Sequence, residues 1–213
     1  MSELDVREQI LAAAMKRFSH YGYSKTTMAE LAQDCNMSAG NLYRFFPGKL
    51  DIAEAIATEE EDRRLEAYIE LAGRGGLAPR EKLREFLFLE LRGTYSLLEK
   101  DAKILEMAMI ITHERPQYAN RRLAIIRKLL AQILGQGNAE GVFAVPDPDF
   151  AGEMILAATM KFHYPQLWSR LSLVQLEREL AGVFELLVYG IAAPGVKPSR
   201  RPILENSLIS SEL

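Results

Sequence analysis

The side chains of this chain best placed for specific polar contact with another molecule fall in one segment, residues 27–46, TMAELAQDCNMSAGNLYRFF. Thr27-Met28-Ala29-Glu30 is a capping box, in which the side chain at each end satisfies a backbone N–H of the other and starts a helix. Ala32 is small where two helices must cross closely. Asn36 stands where a tight turn needs left-handed backbone, which Asn tolerates well. Ser38 can cap a second short helix. Leu31, Cys35, Met37, Leu42 and Phe45 supply an apolar inside, so Ala39, Gly40, Asn41, Tyr43 and Arg44 face outward on a segment short enough to enter a DNA major groove. The chemistry on offer is hydrogen bonding and close contact, with no bond made or broken. Taken singly, these residues have plainer readings: Tyr43 as a packing residue, Arg44 or Lys49 as a solvated charge, Asn41 as a local cap. Their combination at this spacing is what points to a helix-turn-helix that binds DNA.

Beyond that segment, nearly every break in the pattern is a helix start or stop, and no period-2 alternation argues for strands. The prediction is an all-α fold. Helix 1 is expected from about Asp5 to Tyr21, with Val6, Ile10, Ala14 and Phe18 on one face and Gly22 ending it. A long helix from Gly48 to about Ala72, about 37 Å at 1.5 Å per residue, stops at Gly73-Arg74-Gly75-Gly76. Pro79, Asp101, Pro116 and Asp147-Pro148 then mark further starts, and Pro165 an interruption after Tyr164. Ser172-Leu173-Val174-Gln175 is a second capping box, opening a last helix to about Ala193. The chain therefore divides into a helix-turn-helix domain at 1–47, a helical domain at 48–193 that the long helix joins to it, and a polar tail at 194–213 expected to be flexible.

Composition excludes several other functions. The hydrophobic content of 48% and charged content of 26% suit a globular protein with a sizeable core. No apolar run is long enough for a membrane span and the N-terminus lacks a signal-peptide pattern, so a cytoplasmic protein with no membrane contact is expected. The single cysteine, Cys35, cannot form an intrachain disulfide or a Cys-based zinc site. A di-iron bundle needs Glu-x-x-His, yet Arg17, Ile110 and Met160 stand three before His20, His113 and His163. His113-Glu114-Arg115-Pro116-Gln117 does not complete a His-Glu-x-x-His zinc site. No catalytic residue, metal site or cofactor is expected. The formal net charge is -3, but residues 16–49 carry Lys16, Arg17, Lys25, Arg44 and Lys49 against Glu30 and Asp34 alone, a local basic balance that suits a polyanion.

The run Asn36-Met37-Ser38-Ala39-Gly40-Asn41-Leu42-Tyr43-Arg44-Phe45-Phe46-Pro47-Gly48-Lys49, with Thr26-Thr27, Ala32 and the Ile10-Leu11-Ala12-Ala13-Ala14 and Phe18 pattern upstream, resembles the signature of the tetracycline-repressor (TetR) family over about residues 10 to 55. It departs from the commonest form at Asn36, where Gly is usual, and at Asn41, where Thr is frequent. The resemblance implies that Thr27 and Tyr43 hydrogen-bond phosphates, that Lys49 meets the DNA backbone, and that Ala39, Gly40 and Asn41 lie against base edges, where Asn41 can make two hydrogen bonds to adenine and Arg44 can reach a phosphate or a guanine. It implies, further, a repressor acting as a homodimer through the last two helices, with recognition helices roughly 34 Å apart on a near-palindromic operator. The body would hold a small, largely apolar effector. The chain itself shows an apolar lining, as at Phe86 and Met107, with Glu90, Thr94, His113 and Tyr118 as polar groups able to orient a ligand. For the last two helices, Ala151, Ile155, Ala158 and Phe162, then Leu173, Leu176, Leu180, Val183, Leu187 and Ile191, form the expected self-complementary stripe. A body that docks another protein instead of a ligand fits the same sequence.

Overall fold

A computed structural model describes residues 3–100, 102–165 and 170–190. The described elements are all helices: α1 (Glu3–Tyr21), α2 (Met28–Asp34), α3 (Ala39–Phe45), α4 (Lys49–Gly73), α5 (Pro79–Lys100), α6 (Ala102–Glu114), α7 (Pro116–Ala139), α8 (Pro148–His163) and α9 (Leu173–Tyr189). The N-terminal helix-turn-helix and the C-terminal helical body expected from the sequence are both present. The punctuation explains the boundaries: Gly22 takes φ +94° after α1, Pro116 and Pro148 occupy the first turns of α7 and α8, and Ser172 caps α9 with Gln175 returning the bond. The last helix closes at Gly190, at φ +70°, three residues before the expected Ala193. Asp101, the expected cap of the sixth helix, Ile191 and the 194–213 tail lie outside the described residues.

Two apolar cores hold these helices. The first gathers Ile10, Leu11, Ala14 and Phe18 of α1, Leu31, Ala32 and Leu42 of the helix-turn-helix, and Ile52, Ala53 and Ile56 of α4. It is completed by Ile104, Met107 and Ile111 of α6, so the head is built on one face of a body helix. Each of these large aliphatic or aromatic side chains contributes about 1.5–3 kcal/mol by leaving water. Polar links reinforce the junction: Ser24 Oγ donates to Glu106 Oε1 at 2.5 Å, and Arg115 pairs with Asp51 at 2.9 Å and Glu54 at 3.2 Å. The second core packs the C-terminal half of α4 with α5, α7, α8 and α9.

The stripe expected to form a dimer face is divided: Ala158 and Leu187 are exposed, while its larger members turn inward. Ile155, Phe162, Leu176 and Leu180 are buried in the chain's own second core. The apolar face left open comprises Phe150, Met154, Ala157 and Ala158 on α8, with Val174, Leu186, Leu187 and Tyr189 on α9. Both helices are apolar on two faces, and a 3.6-residue period does not say which of the two turns inward.

Gly152 sets the closest approach of α8 to α7, since a Cβ there would lie 3.1 Å from the Arg127 carbonyl oxygen and 3.5 Å from the Ala131 nitrogen. Backbone cannot yield as a side-chain tip can. Gly152→Leu is therefore expected to destabilise the protein by about 1–3 kcal/mol through overpacking, read as a lower urea midpoint. An unchanged midpoint would show that this glycine does not fix the spacing.

Candidate DNA-binding surface and buried cavity

The head presents α3 through a chain of local bonds. Thr27 Oγ1 accepts from Glu30 N at 3.3 Å while Glu30 Oε2 accepts from Thr27 N at 2.8 Å, the reciprocal capping box. Thr27 Oγ1 also donates to Glu30 Oε2 at 2.8 Å, and that bond, followed by the one from Thr27 N, holds the Glu30 carboxyl below its ordinary value. The turn follows at Asn36, which takes φ +52° and is the sole non-glycine with positive φ among the described residues; its neighbour Met37 N donates back to Ala32 O at 2.9 Å. Ser38 Oγ then accepts from Asn41 N at 3.2 Å and starts α3. Arg17 of α1 clamps α2 by bonding Asp34 and Glu30, and Arg7 Nη1 donates to Phe45 O at 3.2 Å at the far end of α3.

Thr27, Ser38, Ala39, Gly40, Tyr43 and Arg44 are exposed, with Asn41 half-buried among them. A Cβ added at Gly40 would meet nothing within 4 Å. Glycine inside a helix costs roughly 0.5–1 kcal/mol relative to alanine, and nothing within the chain requires that cost here. Lys49 is placed differently. Its Nζ donates to Tyr23 O at 2.8 Å and Thr26 O at 2.7 Å and lies 4.3 Å from the Tyr23 ring centroid, so it ties the loop before α2 to the start of α4. Burial lowers its pKa from the ordinary lysine value.

The body holds a second feature, behind the head. A cavity of about 90 Å³ is walled by Met15 of α1, Ile56 and Ala57 of α4, and Ile104, Met107 and Ile111 of α6, with Thr94, Tyr118, Arg122 and His163 among its polar residues. A second, of about 70 Å³, shares Arg64, Tyr118 and Arg122 with it and reaches Glu61 and Tyr68. Between and beneath them runs a buried ionic network. Arg122 bonds Glu90 and lies 2.7 Å from Glu61, and His163 Nδ1 lies 3.0 Å from the same Glu90 oxygen. Burial alone would raise the Glu90 carboxyl, but the Arg122 charge and the His163 contact hold it far below the ordinary range. At Glu61 the balance reverses: burial outweighs Arg122 and its pKa rises. Burial, with the adjacent Glu61, also pushes the Tyr118 phenol upward.

Of the residues expected at a ligand site, Thr94, Met107 and Tyr118 line the larger cavity, and Glu90 stands behind it, holding Arg122 and His163. Two fall elsewhere. Phe86 is fully buried in the second core, its ring 5.2 Å from that of Tyr68, because it lies on the inward face of α5 with Leu83 and Leu87. His113, with a side chain 86% exposed, pairs with Glu114 at the surface. Arg64, Arg122, Glu61 and His163 were not expected there. The signal for Arg122 was available, since it lies in helical register with the buried apolar stripe of Ile126, Leu130 and Ile133, as the expected Glu90 does with Phe86, Leu83 and Leu87.

The family description "Bacterial regulatory proteins, tetR family" matches residues 10–56, and "Tetracyclin repressor-like, C-terminal domain" matches residues 79–184. The chain belongs to the TetR family. This TetR-family protein is a DNA-binding transcription regulator and not an enzyme. It is 26% identical over 196 residues to YhgD, an uncharacterised HTH-type transcriptional regulator of Bacillus subtilis (strain 168), covering 89% of this chain and 98% of that one. It is 44% identical over 46 residues to the HTH-type transcriptional regulator HbdR of Aromatoleum sp. (strain CIB), 22% of this chain and 20% of that one. Among solved structures it resembles the fatty acid degradation regulator FadR of Bacillus halodurans, at TM-score 0.65 and 21% identity over 87% of this chain and 95% of that one. It also resembles Thermus thermophilus FadR in complex with lauroyl-CoA, at TM-score 0.60 and 23% identity over 92% and 98% of the two chains. At these identities the structures establish the shared fold. No helix among the described residues is long and apolar enough to cross a membrane.

Proposed function

We propose that this TetR-family regulator is a cytoplasmic, homodimeric repressor, released from a near-palindromic operator by a small, largely apolar effector bound in the cavity behind the head. The observation that carries the reading is the wall itself: Ile56, Ile104, Met107 and Ile111 line the cavity and are also members of the head's core. A molecule occupying it presses on the surface that orients α2 and α3. Shifting operator affinity tenfold needs only about 1.4 kcal/mol of difference in ligand affinity between two head positions. The Thermus FadR complex with lauroyl-CoA supports a ligand with an apolar part in a body of this fold. The open face of α8 and α9, with Phe150, Met154, Leu186, Leu187 and Tyr189, supports pairing about a two-fold axis. DNA contact is assigned to Thr27, Ser38, Ala39, Gly40, Asn41, Tyr43 and Arg44, with Lys49 holding the loop that carries Thr27.

Gly40 provides the test. Gly40→Ala adds a methyl group into open space on α3, so it is expected to leave the melting temperature unchanged or raise it slightly. Where DNA approaches that backbone, the same methyl group weakens operator binding at least tenfold, measured by fluorescence anisotropy on an operator selected from random duplexes. Equal operator affinity in the variant would remove α3 as the face that approaches the bases. Failure of any duplex to be selected would remove sequence-specific binding.

A further inference from the structure

The walls of the two cavities contain more hydrogen-bond donors than the protein uses. Arg122 is 8% exposed and Thr94 5%, yet Arg122 Nη1, Thr94 Oγ1 and Arg64 Nε have no hydrogen-bond partner among the described residues; Glu90 Oε2, an acceptor in the same state, lies behind the wall and does not line either cavity. Buried polar groups are nearly always paired, so three unpaired groups around one space call for a partner there. Two neighbouring polar groups of the wall are occupied. His163 spends Nδ1 on Glu90 and lies with Nε2 3.4 Å from Thr159 Oγ1, and the Tyr118 hydroxyl bonds Glu61. What the wall lacks is an acceptor.

Charge then narrows the acceptor. Arg64, Arg121 and Arg122 are the cationic side chains lining the two cavities, and Glu60, Glu61, Asp62 and Glu90 stand within or immediately behind them. The positive charge is already answered, so a further carboxylate would enter beside carboxylates that repel it. A carbonyl oxygen satisfies the same donors without adding charge. Size sets the remainder: the two neighbouring volumes, about 90 and 70 Å³, are each below the roughly 150 Å³ that accepts one benzene-sized ring, so the occupant is compact. Met15, Ile56, Ile104, Met107 and Ile111 would surround the apolar part.

Building on the effector reading above, we infer that the cavity is selective for a compact, uncharged molecule bearing a carbonyl-type acceptor on an apolar body, with the oxygen directed to Arg122 and Thr94. Three nearly isosteric probes test it on the full-length protein: 2-hexanone, 2-methyl-1-hexene, which replaces the oxygen by a methylene group, and pentanoate, which replaces the terminal methyl by a charged oxygen. Met15 and Met107 lie in the wall, so their ¹³C-labelled methyl resonances report occupancy locally. The expected result is that both methyl signals move with the ketone at least about tenfold more tightly than with either isostere, equivalent to about 1.4 kcal/mol. In Thr94→Val, nearly the same shape without the hydroxyl, the ketone's advantage over the alkene should shrink severalfold.

Equal binding of ketone and alkene, or tightest binding of pentanoate, would overturn the inference while leaving the cavity as a ligand site. Absence of any shift at Met15 and Met107 with all three probes would overturn both the inference and the effector reading. Ketone selectivity with operator affinity unchanged would support the inference and overturn release by this cavity.

Discussion

Arg122→Met is expected to lower the unfolding free energy by about 3–5 kcal/mol at neutral pH, the largest stability effect of any single substitution considered for this protein. The guanidinium bonds Glu90 and Glu61 at once, tying α5 and α4 to α7, and both it and Glu90 are shielded from water. Removing it leaves Glu90 as a buried carboxylate without its cation. The pH dependence identifies the cause. In the native protein the folded Glu90 pKa is depressed below an unfolded value of about 4.3. Its contribution is therefore complete above that unfolded value and is lost as pH falls toward the folded one. In the variant burial prevails, the folded carboxyl binds its proton more tightly than the unfolded one, and stability recovers as pH falls. The difference between the two proteins should be widest near pH 7 and narrow toward about pH 4. Urea titrations at both values measure it, and Glu90→Gln added to Arg122→Met should recover part of the loss. Coincident midpoints at neutral pH would mean that the network is not the keystone of the body.

The second large effect concerns Lys49, for which the resemblance to the family implied a contact with DNA and the structure shows two carbonyls. With Nζ on Tyr23 O and Thr26 O, the residue fixes the loop from which Thr27 starts α2. Lys49→Met is expected to weaken operator binding by about 10–100-fold, equivalent to roughly 1.4–2.7 kcal/mol, because that loop loses its anchor. The log-log slope of affinity against salt should stay as it was, since no phosphate loses its counter-charge. Arg44→Gln removes an exposed cation and should instead flatten that slope by about 0.9, the value of one neutralised phosphate. If Lys49→Met produced the same flattening, its ammonium must leave the carbonyls for the DNA backbone in the complex.

The two halves of the molecule differed in how far their sequence could be read. The helix-turn-helix was legible because each signal acts within a few residues: Thr27 with Glu30, Ser38 with Asn41, and Asn36 at the turn. The cavity was partly legible, through Thr94, Met107 and Tyr118, which carry polar or polarisable groups on apolar helices. Glu90 was named with them, but the ionic network it belongs to was not legible, because Glu61, Glu90, Arg122 and His163 come from four helices and no local spacing relates them. Phe86 and His113 show the converse limit, since side-chain type does not distinguish a residue beside a cavity from one in dense packing or in water. On α8 and α9, two apolar faces at the same period left the inward one undetermined until α5 and α7 were in place.

The head's dependence on Ile104, Met107 and Ile111 bears on engineering. Grafting residues 1–56 onto the body of another regulator would separate the graft from three buried side chains of its own interior, supplied by α6. A sound chimaera carries those three α6 positions with it, and a sensor built without them inherits the recognition surface but not the floor on which it stands.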